Sequence, residues 1–290
     1  AVDNPHAWIR KAMSAADIRT PSPSNRAVSY PYTKLMNSNN SVDQGAALIL
    51  TSVGKARSLG ISEDRWVYPH AGTEAWDHLY VSERDNLHSS PAIRFAAAKL
   101  FDLTSFGVSD MDYIDLYSCF PAAVQVSANE IGIPQDRPLT VTGGLTFAGG
   151  PLNNYVMHSV ARTVDLLRAN PGSRGLVTAN GGLLTKHALC IYSTTPPERP
   201  FAWADLQADV DATLRRKVTV DHDGGVTVES YVVMYGPDGA PNVAHAACLL
   251  DDGSRTWANI DDLDTVGAMM TEEFCGRSGT IDGAGNLRVT

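Results

Sequence analysis

The sequence predicts an α/β unit followed by a smaller all-β unit. Three observations carry this expectation. Strand-like apolar runs alternate with stretches of helical periodicity up to about residue 195, and the proline-rich "TTPPERP" then breaks the pattern near residue 198. Beyond the break, "GGVTVESYVVMYG", "NVAHAACLL" and "RTWANI" are short strands parted by "PDG" and "DDG" turns.

The elements follow in order. The first 27 residues, with "TPSPSN" near their end, carry Pro, Ser and Asn and read as irregular. "GAALILTSVGKARSLGI" (45–61) joins an apolar run, strand or helix, to a helix stopped by Gly60. In "SPAIRFAAAKLF" (90–101), Ser90 is the N-cap, Pro91 opens the first turn and the apolar residues recur at helical spacing. "MDYIDLYSC" alternates as a strand, "FPAAVQVSANEIGI" reads as a helix, and the glycine-rich "GGLTFAGGPLNN" leads into a helix over 153–169. "GLVTANGGLL" and "KHALCIYST" are two buried strands joined at Asn180, Gly181 and Gly182, a turn equally placed to be a functional loop. Boundaries fall at 1–27, 28–198 and 199–290, the last segment forming a small OB-like β-barrel domain.

Composition narrows the function. A net charge of -9 over 290 residues leaves no basic footprint for nucleic acid or an anionic membrane surface. No apolar run approaches the ~20 residues of a membrane span and no signal peptide is visible, so a cytoplasmic protein is expected. The four cysteines Cys119, Cys190, Cys248 and Cys275 lie far apart, which suits reduced thiols and offers no zinc site. Ala at position 1 in place of Met points to processing or to a piece of a longer chain.

Four segments, in order, resemble the C-terminal half of the thiolase superfamily. "SPAIRFAAAKLF" and "MDYIDLYSCF" stand where thiolases have a PAI-type helix and then a strand ending in Asn-Glu-Ala-Phe, or in His-Asp-Cys-Phe in the sterol-carrier branch. "GGLTFAGGPLNN" is similar to the family's "GG...GHP.G" loop, and "GLVTANGGLL" to its CxGGG strand turn. Upstream, "SVDQGAALILTSVGKARSLGI" is similar to the stretch around "NDGAAAVVLMSEAKAKELGI". The resemblance covers residues 28–195 and implies a thiolase-like mixed sheet with helices on its faces. It also makes residues 199–290 similar to the extra C-terminal domain of a thiolase-like, acetyl-CoA acetyltransferase-type group.

The departures from the family pattern fall on its ionisable groups. The GHP histidine is replaced at Gly150 and the cysteine of CxG near Asn180, while Tyr117 stands for the Asn or His of the third loop. The nucleophilic cysteine belongs to the family's N-terminal half, which the resemblance does not cover. Glycine has no side chain to take a proton and asparagine does not titrate. The candidate catalytic residues are therefore Tyr117 as an acid, His187 just past the turn, and Asn180 as an amide donor to a carbonyl oxygen. Each also has a plain reading: a packed tyrosine, a hydrogen-bonded core histidine, an Asn-Gly turn. Gly149, Gly150, Gly181, Gly182 and Cys119 are the candidate substrate-binding positions, the glycines keeping the backbone close to an acyl-CoA. Trp76, His78, Glu83 and Arg84 form a loop cluster, either solvated or a contact surface.

What the resemblance implies is an acyl-CoA enzyme of lipid metabolism, nominally an acyltransferase, with an atypical site, acyl-CoA as substrate, and no metal or tightly bound cofactor. Two alternatives stand beside it: a retro-aldol lyase on a β-hydroxyacyl-CoA with Tyr117 deprotonating the hydroxyl, or a non-catalytic CoA-binding scaffold. Tyr117, Gly149, Gly150, Asn180 and His187 are expected to converge on one cleft. The expected partner is an N-terminal thiolase half, as a separate polypeptide or a missing piece, with a homodimer as fallback. One half alone is expected to leave a helix such as "SPAIRFAAAKLF" with its apolar face uncovered.

Overall fold

The structure, a computed structural model, describes residues 1–290. It divides into two compact units, one of residues 1–12, 37–77 and 88–213, the other of 13–36, 78–87 and 214–290. In chain order the helices are α1 (Ala15–Arg19), α2 (Val53–Ser58), α3 (Pro91–Thr104), α4 (Pro121–Ile131), α5 (Gly144–Phe147), α6 (Tyr155–Ala169), α7 (Gln207–Asp211) and α8 (Leu263–Ala268). The strands are β1 (Ala27–Tyr30), β2 (Tyr32–Thr33), β3 (Tyr68–Trp76), β4 (Tyr113–Asp115), β5 (Arg174–Gly181), β6 (Lys186–Ser193), β7 (Ala202–Asp205), β8 (Gly224–Tyr235), β9 (Pro241–Leu249), β10 (Arg255–Ile260), β11 (Ser278–Ile281) and β12 (Leu287–Val289).

The first unit is built on a five-stranded mixed sheet in the order β4, β5, β6, β3, β7. β4 runs parallel to β5 and β7 parallel to β3, while β6 lies between β5 and β3 and runs antiparallel to both. Successive side chains of a strand point to opposite faces, so the register fixes what each face carries. On one face the Thr73 hydroxyl donates to the Ala96 carbonyl of α3 at 2.9 Å. There Ala71, Leu176 and Ile191 of the sheet form one core with Ile93 and Leu100 of α3. α3 itself follows from its sequence: Ser90 accepts the Ile93 N–H, Pro91 opens the first turn, and the chain leaves at Ser105 in the left-handed region. On the opposite face α6 presses against β5 so closely that a Cβ on Gly175 would lie 2.5 Å from Thr163 Cγ2.

Two expectations are corrected here. The apolar face of α3 is not uncovered, because the sheet, α4 and α7 bury Ala92, Ile93, Ala96, Ala97 and Leu100. The open surface lies elsewhere. α6 stands over β5 and the adjoining β4 and β6, and at the far end of the face Trp76, Phe201 and Trp203 are 48%, 52% and 58% exposed. The apolar run before α2 also forms no strand, and Ile49 and Leu50 are 93% and 83% exposed. An extended apolar segment becomes a strand only when another strand completes its backbone hydrogen bonds, and none pairs with this one. The helix after it does form, capped by Ser52, with Gly60 at φ +68° beyond its end.

The second unit is an antiparallel seven-stranded sheet. β9 separates β8 from β10, and the other edge of β8 is shared by β11 at residues 224–227 and β1 at 233–234. β2 and β12 extend β1 and β11. Val228, Val233, Ala246, Cys248 and Ile260 form a core with Val266 and Met269 at α8. The sheet bends, since β8 is bulged between Val228 and Ser230 and β9 between Pro241 and Val243. The expected OB-like barrel is not what forms, because no ladder joins β10 to β12. A single bridge, Asn259 to Asn286, stands between them, and β12 has only three residues with which to pair. The segment read as irregular contains α1, held by a reciprocal Ser14 and Asp17 capping box.

Candidate active site

Three chain segments of the first unit meet at the C-terminal ends of the parallel pair β4 and β5, where the strands stop and loops must turn away. After β4 the chain continues through Tyr117, whose N–H is held by the Thr178 hydroxyl of β5 at 2.8 Å. Cys119 and Phe120 follow, and Pro121 opens α4. β5 ends at Asn180 and Gly181, with Gly182 at φ +69° starting the turn. Leu152, Asn153, Tyr155 and Val156, around the start of α6, close the third side of a cavity of about 280 Å³.

Burial governs the chemistry of this cavity. It raises the pKa of the Tyr117 phenol and of the Cys119 thiol, and it drives that of Tyr155 well above its ordinary value. All three are thereby kept protonated at neutral pH. Asn180 donates weakly from Nδ2 to Cys119 Sγ at 3.7 Å, while its buried Oδ1 has no hydrogen-bond partner. The Tyr117 ring stands edge-on to Tyr155, with centroids 5.4 Å apart. Tyr117, Cys119, Asn180, Gly181 and Gly182 thus share one cavity.

Three other candidates lie elsewhere. His187 faces Asn180 in the β5 and β6 register, but its ring is buried beside Asp77, with Nε2 3.5 Å from Oδ2. Asp77 also accepts from the Ser90 hydroxyl and the Ala92 N–H. Burial alone would raise the Asp77 pKa, yet the adjacent His187 ring and the hydrogen bonds from Ser90 and Ala92 outweigh it and hold the carboxylate low. Gly149 lines a second cavity with Gln44 and Arg162, and the Gly150 N–H is bound to the Asn39 carbonyl at 2.9 Å. Of the loop cluster, Trp76 lies under the Lys186 ammonium, and residues 78–87 belong to the second unit.

Gly149 explains part of the loop's glycine content. Its φ is +107°, and a Cβ there would sit 2.0 Å from Gln44 Oε1. Gln44 has little freedom to withdraw, because its Nε2 donates to the carbonyls of His6 and Ala148. Gly149→Ala is expected to lower stability by about 1–3 kcal/mol, as overpacking at a strained backbone position does. Urea denaturation reads this directly, and an unchanged midpoint would contradict the close approach of Gln44.

Sequence reasoning missed Asp115 and Tyr155. Asp115 is fully buried at the end of β4 and accepts the N–H groups of Val141 and Thr142 at 2.8 and 3.0 Å. It therefore fixes the start of the glycine loop. A signal was present in "YIDLY", where a carboxylate sits inside an apolar run.

A mixed sheet with helices on both faces, loops gathered where its parallel strands end, and a separate antiparallel unit define a protein of the thiolase-like class. The family described as "Thiolase-like protein type 1 additional C-terminal domain" matches residues 205–286. The crystal structure of a monomeric SCP2-thiolase-like protein type 1 from Mycobacterium smegmatis is similar along 100% of this chain, with 35% identity and a TM-score of 0.88. Together these two findings support a member of the thiolase-like superfamily. The chain spans 64% of the length of that relative. No curated protein matches it. No helix is long and apolar enough to cross a membrane.

Proposed function

We propose that the cavity at the ends of β4 and β5 receives the thioester of an acyl-CoA, in an acyltransferase-type protein with an atypical active site. The observation that carries this reading is that the Tyr117 phenol and the Asn180 amide line one cavity, two neutral groups suited to a thioester oxygen. The same cavity supports no thiolate nucleophile, since burial raises the Cys119 pKa. It equally disfavours the retro-aldol reading, because burial raises the Tyr117 pKa and leaves little phenolate at neutral pH to act as the base. The absence of a poised base favours a second reading, a CoA-binding protein that has kept the fold without turnover. Under either reading the uncovered sheet face takes an N-terminal half in the cytoplasm. A relative described as monomeric supports that arrangement over a homodimer.

Calorimetric titration with acetyl-CoA, acetoacetyl-CoA and a β-hydroxyacyl-CoA tests the assignment, with release of free CoA and of aldehyde or ketone followed in parallel. Binding is expected, and Tyr117→Phe is expected to weaken it about tenfold, the equivalent of one hydrogen bond of about 1.4 kcal/mol. Unchanged affinity in the variant would remove Tyr117 from the site. Release of aldehyde from the β-hydroxyacyl-CoA would reinstate the lyase reading.

A further inference from the structure

Three oxygen contacts form a closed ring beneath the cavity. Tyr155 OH lies 2.9 Å from Asp115 Oδ2 and 2.6 Å from Thr142 Oγ1, and Thr142 Oγ1 lies 2.9 Å from Asp115 Oδ1. Each contact needs one proton, or two lone pairs face each other at hydrogen-bond distance. Tyr155 and Thr142 supply one proton each. If Asp115 were ionised, one of the three contacts would be empty in every arrangement. With a proton on Oδ2 the ring closes: Asp115 donates to Tyr155, Tyr155 to Thr142, and Thr142 to Oδ1, which also accepts the N–H groups of Val141 and Thr142. Thr142 Oγ1 still accepts the Gly144 N–H at 3.2 Å.

We propose that Asp115 is a neutral carboxylic acid at neutral pH and the positioning residue of the cavity, holding the Tyr155 ring and the 141–144 backbone in place through this ring of three protons. The clause about the cavity rests on its assignment as an acyl-CoA site; the protonation of Asp115 does not. Burial acts in the same direction, pushing the Asp115 carboxyl up, while hydrogen bonding from Thr142 and Tyr155 to the charged form opposes it. The ionisable group that faces it is the Tyr155 phenol on α6, which burial drives to its neutral form. Tyr155 in turn braces Tyr117 edge-on, so the carboxyl reaches the cavity through packing and not by contact.

A raised carboxyl pKa has a defined sign in stability. Above about pH 4 the unfolded chain releases this proton while the folded chain keeps it, so the contribution is full below that pH and declines as pH rises toward the folded value. Asp115→Asn reproduces the neutral acid, its amide NH₂ donating to Tyr155 and its oxygen accepting from the loop. The variant is expected to fold, to lose this decline, and to equal or exceed the wild type in melting temperature at pH 8. Infrared spectroscopy of the unaltered protein at pH 7 is expected to show a protonated carboxyl band that Asp115→Asn removes. A wild type without that band, or an Asp115→Asn variant as unstable as Asp115→Ala at every pH, would overturn the proposal. With acetyl-CoA as probe, affinity is expected to fall with rising pH in the wild type and to stay level in Asp115→Asn. If acetyl-CoA does not bind at all, the reading of the cavity fails, and the infrared band alone decides the state of Asp115.

Discussion

Residues 1–290 prepared alone are expected to bind a hydrophobic dye and to self-associate, and co-expression with a polypeptide supplying the rest of a thiolase-like fold is expected to abolish both. The reason lies on the α6 face of the five-stranded sheet. Gly72, Trp76 and Trp203 point to that face by register, and the Phe201 and Trp203 side chains lie 3.5 and 3.8 Å from where a Gly72 Cβ would be. Trp76, which meets the Lys186 ammonium, Phe201 and Trp203 all remain exposed on that face, and Ile49 and Leu50 are almost fully exposed just before α2. Burying each large apolar side chain is worth about 1.5–3 kcal/mol, so five of them rival the ~5–15 kcal/mol that stabilises a whole domain. An apolar surface of this size invites association. Size-exclusion chromatography with light scattering gives the answer, with Trp203→Glu as the control that weakens the assembly without touching the core. A monodisperse monomer of this chain that binds no dye would remove the need for a covering partner.

What the sequence made legible was decided by short-range chemistry. Ser90 and Pro91 specify the start of α3 within a single turn, and "GLVTANGGLL" with "KHALCIYST" specifies the hairpin of β5 and β6 together with its turn. The cavity residues Tyr117, Asn180, Gly181 and Gly182 were legible for a related reason, because strand ends and their turns can be located from local pattern. Direction of a side chain toward a distant partner could not be located in this way. The place of His187 opposite Asn180 follows from the hairpin, yet its ring is claimed by Asp77, which lies far away in sequence. Gly149 looked like a ligand-facing glycine, whereas its open side is filled by Gln44. The run "GAALIL" has the composition of a strand, and composition cannot supply the neighbour that a strand needs. Asp115 was passed over because an isolated carboxylate in an apolar run acquires meaning only through Thr142 and Tyr155, which the fold brings to it.

The largest effect of a single substitution is expected at Arg255 in the second unit. Its side chain is fully buried and forms a two-pronged ion pair with Glu229, Nε to Oε2 at 2.5 Å and Nη2 to Oε1 at 2.7 Å. The guanidinium also donates from Nη1 to the carbonyls of Ser82 and Arg84, at 2.8 and 2.6 Å, pinning the 78–87 segment against β10. Arg255→Ala removes five donors and leaves the Glu229 carboxylate without its cation, and breaking a buried pair in this way costs about 3–5 kcal/mol. Against a total of ~5–15 kcal/mol, that brings the unit close to unfolding. Replacing a buried ion pair on both sides is often nearly neutral, so Arg255→Met with Glu229→Leu separates the pair from the carbonyls. Here the double variant is expected to remain destabilised by about 1–3 kcal/mol for each carbonyl left buried and unpaired. Amide exchange in the 78–87 segment is expected to accelerate in both variants, well beyond any change in the first unit. A double variant with the wild-type urea midpoint and unaltered exchange at 78–87 would show that Arg255 serves Glu229 alone and does not anchor the segment.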